Sequence, residues 1–259
     1  MDTSAFHKKN GRYYLKYYGS DSYYKNGLLL ECIEHFKYLF KGKLLDLGCG
    51  NKPYSDIYNE ICESSVGCDV PFSLHRKANV EVLCYAEDTD KHFDSEYFDT
   101  VLCTEVLEHT VNDRAVILNI NKILKHNGNL IISAPYTYVT HEAPHDYRRY
   151  TYYGLKDILE KNGFEVKSVF SMGASFSSFF FIFYYTLKKI FFYSLKSVGF
   201  ENINENNFIN AIISIPELLL FKLYIPFFRQ KLETSKPLSV NELYSSLGYF
   251  FVAKKITNL

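Results

Sequence analysis

The stretch KLLDLGCG, residues 43–50, constrains the fold more than any other part of the chain. A short apolar run that ends in an acid and two closely spaced glycines needs a buried strand stopping in a tight turn, because glycine alone reverses a backbone there without steric cost. Similar short runs recur at 64–70 (SSVGCDV), 79–85 (NVEVLCY), 98–106 (FDTVLCTEV) and 128–135 (GNLIISAP). They are too short for helices and rich in β-branched residues, so each is read as a strand. Between the last two lies NDRAVILNINKILKHNG, with helical apolar spacing, Asn112 or Asp113 as cap and Asn127-Gly128 as the stop. Strand, helix, strand implies a parallel sheet. A helix over 27–40 precedes the first strand, and a second begins after Thr151 and stops at Asn162-Gly163. Strands at 164–169 and 247–256 complete the pattern.

Residues 176–240 break this alternation with two Phe-rich apolar stretches, interrupted by Lys188, Lys189, Glu217 and Lys222. A membrane span needs about 20 apolar residues with few or no charges, so neither stretch is a clean span. The reading is a helical insertion before the last strand that serves as extra core, covers the site, forms a homodimer interface or makes peripheral membrane contact. The division expected is a helical, aromatic cap over 1–40 and one domain over 41–259 that carries this insertion.

Composition narrows the function classes. The 259 residues are 47% hydrophobic, enough for a sizeable core, and 29 basic residues balance 29 acidic ones. A net charge of zero supplies no field for nucleic acid, so no nucleic-acid partner is expected. None of the six cysteines forms a CxxC pair, and several sit in apolar runs, which suits reduced core thiols in a cytoplasmic protein. The N-terminal residues lack the apolar stretch of a secretory signal.

The glycine turn carries the first chemical signal. Gly48 and Gly50 let a ligand approach the backbone, and a helix N-terminus after such a turn offers unpaired N–H groups. Asp69 ends the next strand, where a carboxylate can accept ribose hydroxyls. Dinucleotides and S-adenosylmethionine (SAM) share that geometry. Asp46, placed to organise an amino-acid end, and Pro53 in place of a third glycine favour SAM over NAD.

The succession DLGCG, VGCDV, YFDTVLCTEVLEHT and ILKHNGNLIISAPY, over about residues 40–172, resembles the class I SAM-dependent methyltransferases, particularly the type 11 group. The resemblance implies a Rossmann-like seven-stranded α/β sheet whose last strand is antiparallel. It also implies that Asp46, Gly48 and Gly50 contact the methionine part of SAM, Asp69 the ribose, and Tyr85, Ala86 and Glu87 the adenine. Thr104 and Glu105 would stand near the methionine and the acceptor. Tyr85 replaces a residue that is often small and acidic in the family. Glu108 and His109 read equally as the start of a helix or as part of the site.

HEAPHDYRRY, residues 141–150, contains the letters of a zinc-peptidase motif, but that motif needs both histidines on one helix, and Pro144 disrupts an interior turn. No metal is assigned. The segment resembles instead a loop of methyltransferases in sugar and cell-surface polysaccharide pathways, closing over the site after the fifth strand. His141 or His145 would act as general base, with Asp146 or Glu142 orienting the imidazole. Glu142, Tyr147, Arg148 and Arg149 would bind the acceptor. The resulting expectation is methyl transfer to a small-molecule or glycan-precursor acceptor, at oxygen. The competing readings are an NAD-dependent oxidoreductase on a similar sheet and a non-catalytic scaffold with the same fold.

Overall fold

The computed structural model describes residues 6–16, 23–71, 80–174, 176–199, 212–234 and 238–258. The chain opens with an antiparallel hairpin, β1 (Phe6–Lys9) and β2 (Arg12–Leu15). Asn10 and Gly11 both take positive φ at its turn, the Asn-Gly conformation that matches strand twist. Helix α1 (Tyr23–Phe36) follows and is buried on nearly every side, its Lys25, Glu31 and Glu34 included, each of which forms an ion pair.

The main sheet then begins with β3 (Lys43–Leu47), the short helix α2 (Ser55–Tyr58), β4 (Ser64–Asp69), β5 (Val82–Leu83) and β6 (Phe98–Thr104). Helix α3 (Asp113–Ile123), β7 (Leu124–Pro135), α4 (Tyr152–Lys161) and β8 (Phe164–Met172) continue it. The insertion supplies α5 (Phe176–Ser197), α6 (Ile215–Thr234) and the short α7 (Val240–Ser245) before β9 (Gly248–Lys255) closes the sheet. Strand order is β5-β4-β3-β6-β7-β9-β8. The first five strands are parallel, and β9 lies antiparallel to both neighbours, as the sequence predicts.

Side chains alternate between two cores. Leu44, Leu102, Ile131 and Phe250 face the layer of α1, α5 and α6, whereas Leu45, Val101, Ile132 and Phe251 face α3 and α4. Burial on both faces explains why these strands read as continuous apolar runs. Thr151 caps α4 through Oγ1, which accepts from the Gly154 N–H at 3.0 Å, and Asn112 caps α3 in the same way from Ala115 at 3.2 Å.

Several expectations need correction. The α3 helix stops at Ile123 rather than at Asn127-Gly128, which instead form an irregularity inside β7 where Asn127 has φ of 61°. The run 79–85 yields only the two-residue β5, residue 79 lying outside the described residues. Cys68 and Cys84 are paired in a disulfide, Cα atoms 6.4 Å apart, because the pairing of β4 with β5 brings them together. Cys32, Cys49, Cys62 and Cys103 are free thiols, as expected.

The insertion is bound to α1. Gly27 approaches α6 so closely that a Cβ there would lie 2.4 Å from the Phe221 ring. Arg229 of α6 grips Glu31 of α1 with two hydrogen bonds of 2.8 and 2.6 Å, and Arg12 of the hairpin joins the same carboxylate. Glu217 accepts from the Tyr24 N–H at 2.7 Å, satisfying a donor in the first turn of α1. The outer faces of α5 and α6 expose Phe176, Phe179, Phe183, Leu223 and Phe227. Among the described residues no helix is long and apolar enough to cross a membrane.

Candidate active site

The carboxyl ends of the parallel strands open into one cavity of about 540 Å³, where open α/β sheets place their ligands. At the end of β3 the Gly48 and Cys49 N–H groups both donate to the Cys68 carbonyl, at 2.8 and 3.1 Å. Gly48 has φ of 69°, and a Cβ on it would meet Val106 Cγ2 at 2.3 Å, so this position needs glycine for both conformation and space. Asp69 Oδ2 accepts from the Gly50 N–H at 2.8 Å and Oδ1 from the Val70 N–H at 2.7 Å, which aims the carboxylate along the cavity wall.

The remaining wall on this side is Cys84, Tyr85, Ala86 and Glu87. The Glu87 carboxylate accepts from the N–H groups of Val111 and Asn112 at 2.9 and 3.2 Å and so ties the segment after β5 to the start of α3. Asp46 lies behind the glycine turn and outside the cavity lining. Its Oδ2 accepts from the Tyr58 hydroxyl at 3.0 Å, and burial pushes its carboxyl up to about 7 despite that bond. Thr104 also stands outside the lining.

Glu105 lines the cavity in a left-handed conformation, φ 56°, which costs a non-glycine residue about 1 kcal/mol or more. Three contacts hold it: its N–H donates to the Ser133 carbonyl at 3.1 Å, Ser133 Oγ donates to its Oε1 at 2.8 Å, and Lys25 forms an ion pair with it. Lys25 comes from α1, is 5% exposed and lies 4.1 Å over the Tyr138 ring. Burial lowers its pKa, yet the Glu105 charge outweighs that and the net shift is upward. The sequence reading missed Lys25, because a lysine in an N-terminal apolar helix carries no local signal of a partner so distant in the chain.

Glu108 and His109 occupy a single 3-10 turn (Leu107–His109) after β6. Glu108 is fully buried, and burial, with Glu105 beside it, raises its pKa well above the ordinary carboxylate value. His109 lines the cavity and donates from Nδ1 to the His145 carbonyl at 2.6 Å.

The loop over 138–150 closes the cavity from the β7 side. It is not helical, so the zinc-peptidase arrangement of two histidines on one helix is absent from it. Glu142, His145 and Tyr147 line the cavity, with His145 Nδ1 3.0 Å from the Tyr147 hydroxyl. His141 does not line it; its ring packs against His109, the centroids 4.8 Å apart. Burial, reinforced by Lys25 and His109, lowers the His141 pKa below the usual imidazole value.

Asp146, Arg148 and Arg149 also stand outside the lining. Arg149 holds Asp146 with bonds of 2.5 and 2.7 Å, which outweigh burial and bring that carboxyl down to about 2. Arg149 also donates to the Tyr138 and Val139 carbonyls, and Arg148 to those of Thr110 and Val111. Arg148 therefore fastens the loop to the segment after β6, while Arg149 ties the two ends of the loop to each other.

The sheet order, with the glycine turn at β3 and the carboxylate after β4 at the carboxyl ends of its strands, is a Rossmann-like arrangement that this chain shares with solved SAM-dependent methyltransferases. Residues 45–132 match the methyltransferase domain family. A ubiquinone biosynthesis O-methyltransferase of Glaesserella parasuis is 32% identical over 108 residues, 37% of this chain and 46% of that protein, so the match spans less than half of the relative. A SAM-dependent methyltransferase from Archaeoglobus fulgidus shares the fold with a TM-score of 0.52 at 18% identity, over 88% of this chain and 93% of that one. The [4+2]-cyclase SpnF shares it with a TM-score of 0.55 at 15% identity, over 93% and 85% of the two chains.

The cavity fits SAM on its own geometry. Its volume suits a ligand of that size, the Gly48–Gly50 turn faces it, and the Asp69 carboxylate stands on the same wall as the apolar side chains of Val70, Ala86 and Val111.

Proposed function

We propose that the protein moves a methyl group from SAM to an oxygen of a small hydroxylated acceptor, glycan precursors included. The observation that carries this reading is that one cavity is lined by Gly48, Gly50 and Asp69 on one side and by Glu142, His145 and Tyr147 on the other. The O-methyltransferase relatives support oxygen as the acceptor atom.

Gly48 and Gly50 would receive the methionine part of SAM, Asp69 the ribose hydroxyls, and Tyr85 with Ala86 the adenine. When bound, SAM supplies a methyl group on a positively charged sulfur that needs no further activation. The chain's own work is to align the acceptor, exclude water and take one proton. His145 lines the cavity and is the base of this reading, with Tyr147 beside its Nδ1 to fix the ring. Glu142 and Tyr147 would bind acceptor hydroxyls. Asp146, Arg148 and Arg149 act one step back, holding the loop closed. The exposed aromatic rows of α5 and α6 fit a protein that rests on a membrane surface or pairs with a second copy.

Calorimetric titration with SAM and, separately, NAD tests the reading, repeated on Asp69→Ala. Saturable SAM binding that weakens at least about 10-fold in the variant is expected, from loss of a charge-assisted hydrogen bond worth about 1.5–3 kcal/mol. NAD binding in place of SAM would promote the oxidoreductase, and binding of neither would promote the scaffold.

A further inference from the structure

We propose that Glu108, His109 and His141 form a binding site for one divalent transition-metal ion at the floor of the acceptor cavity. Their ligand atoms all lie within 4.8 Å of one another. Glu108 Oε1 is 3.7 Å from His109 Nε2 and 3.9 Å from His141 Nε2, too far for hydrogen bonds. Bonds of about 2.1 Å to one ion set neighbouring ligand atoms roughly 3–3.5 Å apart, so the three groups stand somewhat wider than a bound ion would hold them and would draw together around it.

Two independent features point to an ion rather than to chance proximity. Glu108 is 0% exposed, and among the described residues neither of its carboxylate oxygens has a hydrogen-bond partner. A buried carboxylate in that condition is costly unless something else compensates it. Both imidazoles, moreover, have their other nitrogen committed. His109 Nδ1 meets the His145 carbonyl at 2.6 Å, and His141 Nδ1 meets the Val139 carbonyl at 3.3 Å and Asp146 Oδ2 at 3.4 Å. A carbonyl accepts only, so the proton sits on Nδ1 and each Nε2 presents a lone pair toward Glu108. Metal-binding histidines are oriented by this same outer arrangement.

The nearest cations are already engaged, Lys25 by Glu105 and Arg149 by Asp146, and so do not fill the place of the ion. Two nitrogens and one carboxylate favour Zn²⁺, Co²⁺, Mn²⁺ or Fe²⁺ over Mg²⁺ and Ca²⁺, which prefer oxygen alone. Three protein ligands leave coordination positions open, and His109, which forms part of the cavity wall, places them toward the acceptor. An acceptor bearing adjacent hydroxyls would occupy them, its hydroxyl made more acidic by the ion. That use rests on the methyl-transfer reading; metal binding itself does not.

The test treats the full chain with a chelator, dialyses it and titrates it with Co²⁺, following visible absorption and calorimetric stoichiometry, with Zn²⁺ as competitor. One Co²⁺ per chain, displaced by Zn²⁺, is expected, with affinity at least about 100-fold lower in Glu108→Gln and in His141→Ala and unchanged in His126→Ala, an exposed histidine elsewhere. Circular dichroism establishes that each variant is folded. Should Glu108→Gln fail to fold, His141→Ala decides alone. Absence of saturable Co²⁺ binding, or equal binding by folded His141→Ala, would overturn the site. A SAM titration of the metal-free protein separates the two readings: SAM binding without any Co²⁺ binding leaves methyl transfer standing and removes the metal.

Discussion

Replacing Lys25 with methionine removes a buried cation while keeping most of its stem. Lys25 is 5% exposed, and its ammonium pairs with Glu105 and lies over Tyr138. Its loss leaves Glu105 uncompensated beside the buried Glu108. Breaking a buried pair in this way costs about 3–5 kcal/mol, whereas an exposed pair is worth about 1 kcal/mol or less. Against a total stability of about 5–15 kcal/mol the variant should fold but lose a large part of its margin. Urea unfolding gives the cost, and the double variant Lys25→Met/Glu105→Gln should recover at least about half of it, because the amide removes the stranded charge. A single-variant cost below about 1 kcal/mol, or additive costs in the double variant, would refute the claim that this pair is a buried, coupled unit.

Asp46 makes stability depend on pH. A carboxyl raised from 3.8 to about 7 in the folded chain retains its proton where the unfolded chain has lost it, so wild-type stability falls as pH climbs from about 4 to about 7 and then levels. Asp46→Asn should therefore gain on wild type across that window, by up to about 4 kcal/mol from a shift of roughly three units, and parallel urea midpoints at about pH 5 and about pH 8 would sink the argument. Sedimentation with anionic lipid vesicles tests the aromatic rows of the insertion: wild type should co-sediment and Phe179→Ser/Phe183→Ser should lose at least about 10-fold in partitioning, as expected for two exposed rings that insert. Equal partitioning of the two proteins excludes that face as the contact.

The sheet was legible because its inner strands are buried on both faces, which leaves an apolar run and little else in their sequence. The glycine turn and Asp69 were legible for a related reason, since positive φ and close approach restrict residue choice at Gly48. Local signals misled where one residue pair serves two ends. Asn127-Gly128 resembles a helix stop but lies within β7, while Asn10-Gly11 is a plain hairpin signal and does form the turn between β1 and β2. The roles of Arg148 and Arg149 were not legible, because most of their partners are backbone carbonyls, which any sequence supplies. The gathering of Glu108 and His109 with His141 depends on how the loop after β7 folds back over β6, and no spacing rule encodes it.

Helix α1 has a consequence for the ancestry and engineering of this chain. Adjacent residues of its first turn face different masters: the Tyr24 N–H is held by Glu217 of α6, while the Lys25 side chain reaches Glu105 in the cavity wall. The Phe-rich segment is therefore no detachable accessory. A sister domain that received it by grafting would need α1 in the same transfer, and a shortened version of this protein would have to redesign both together.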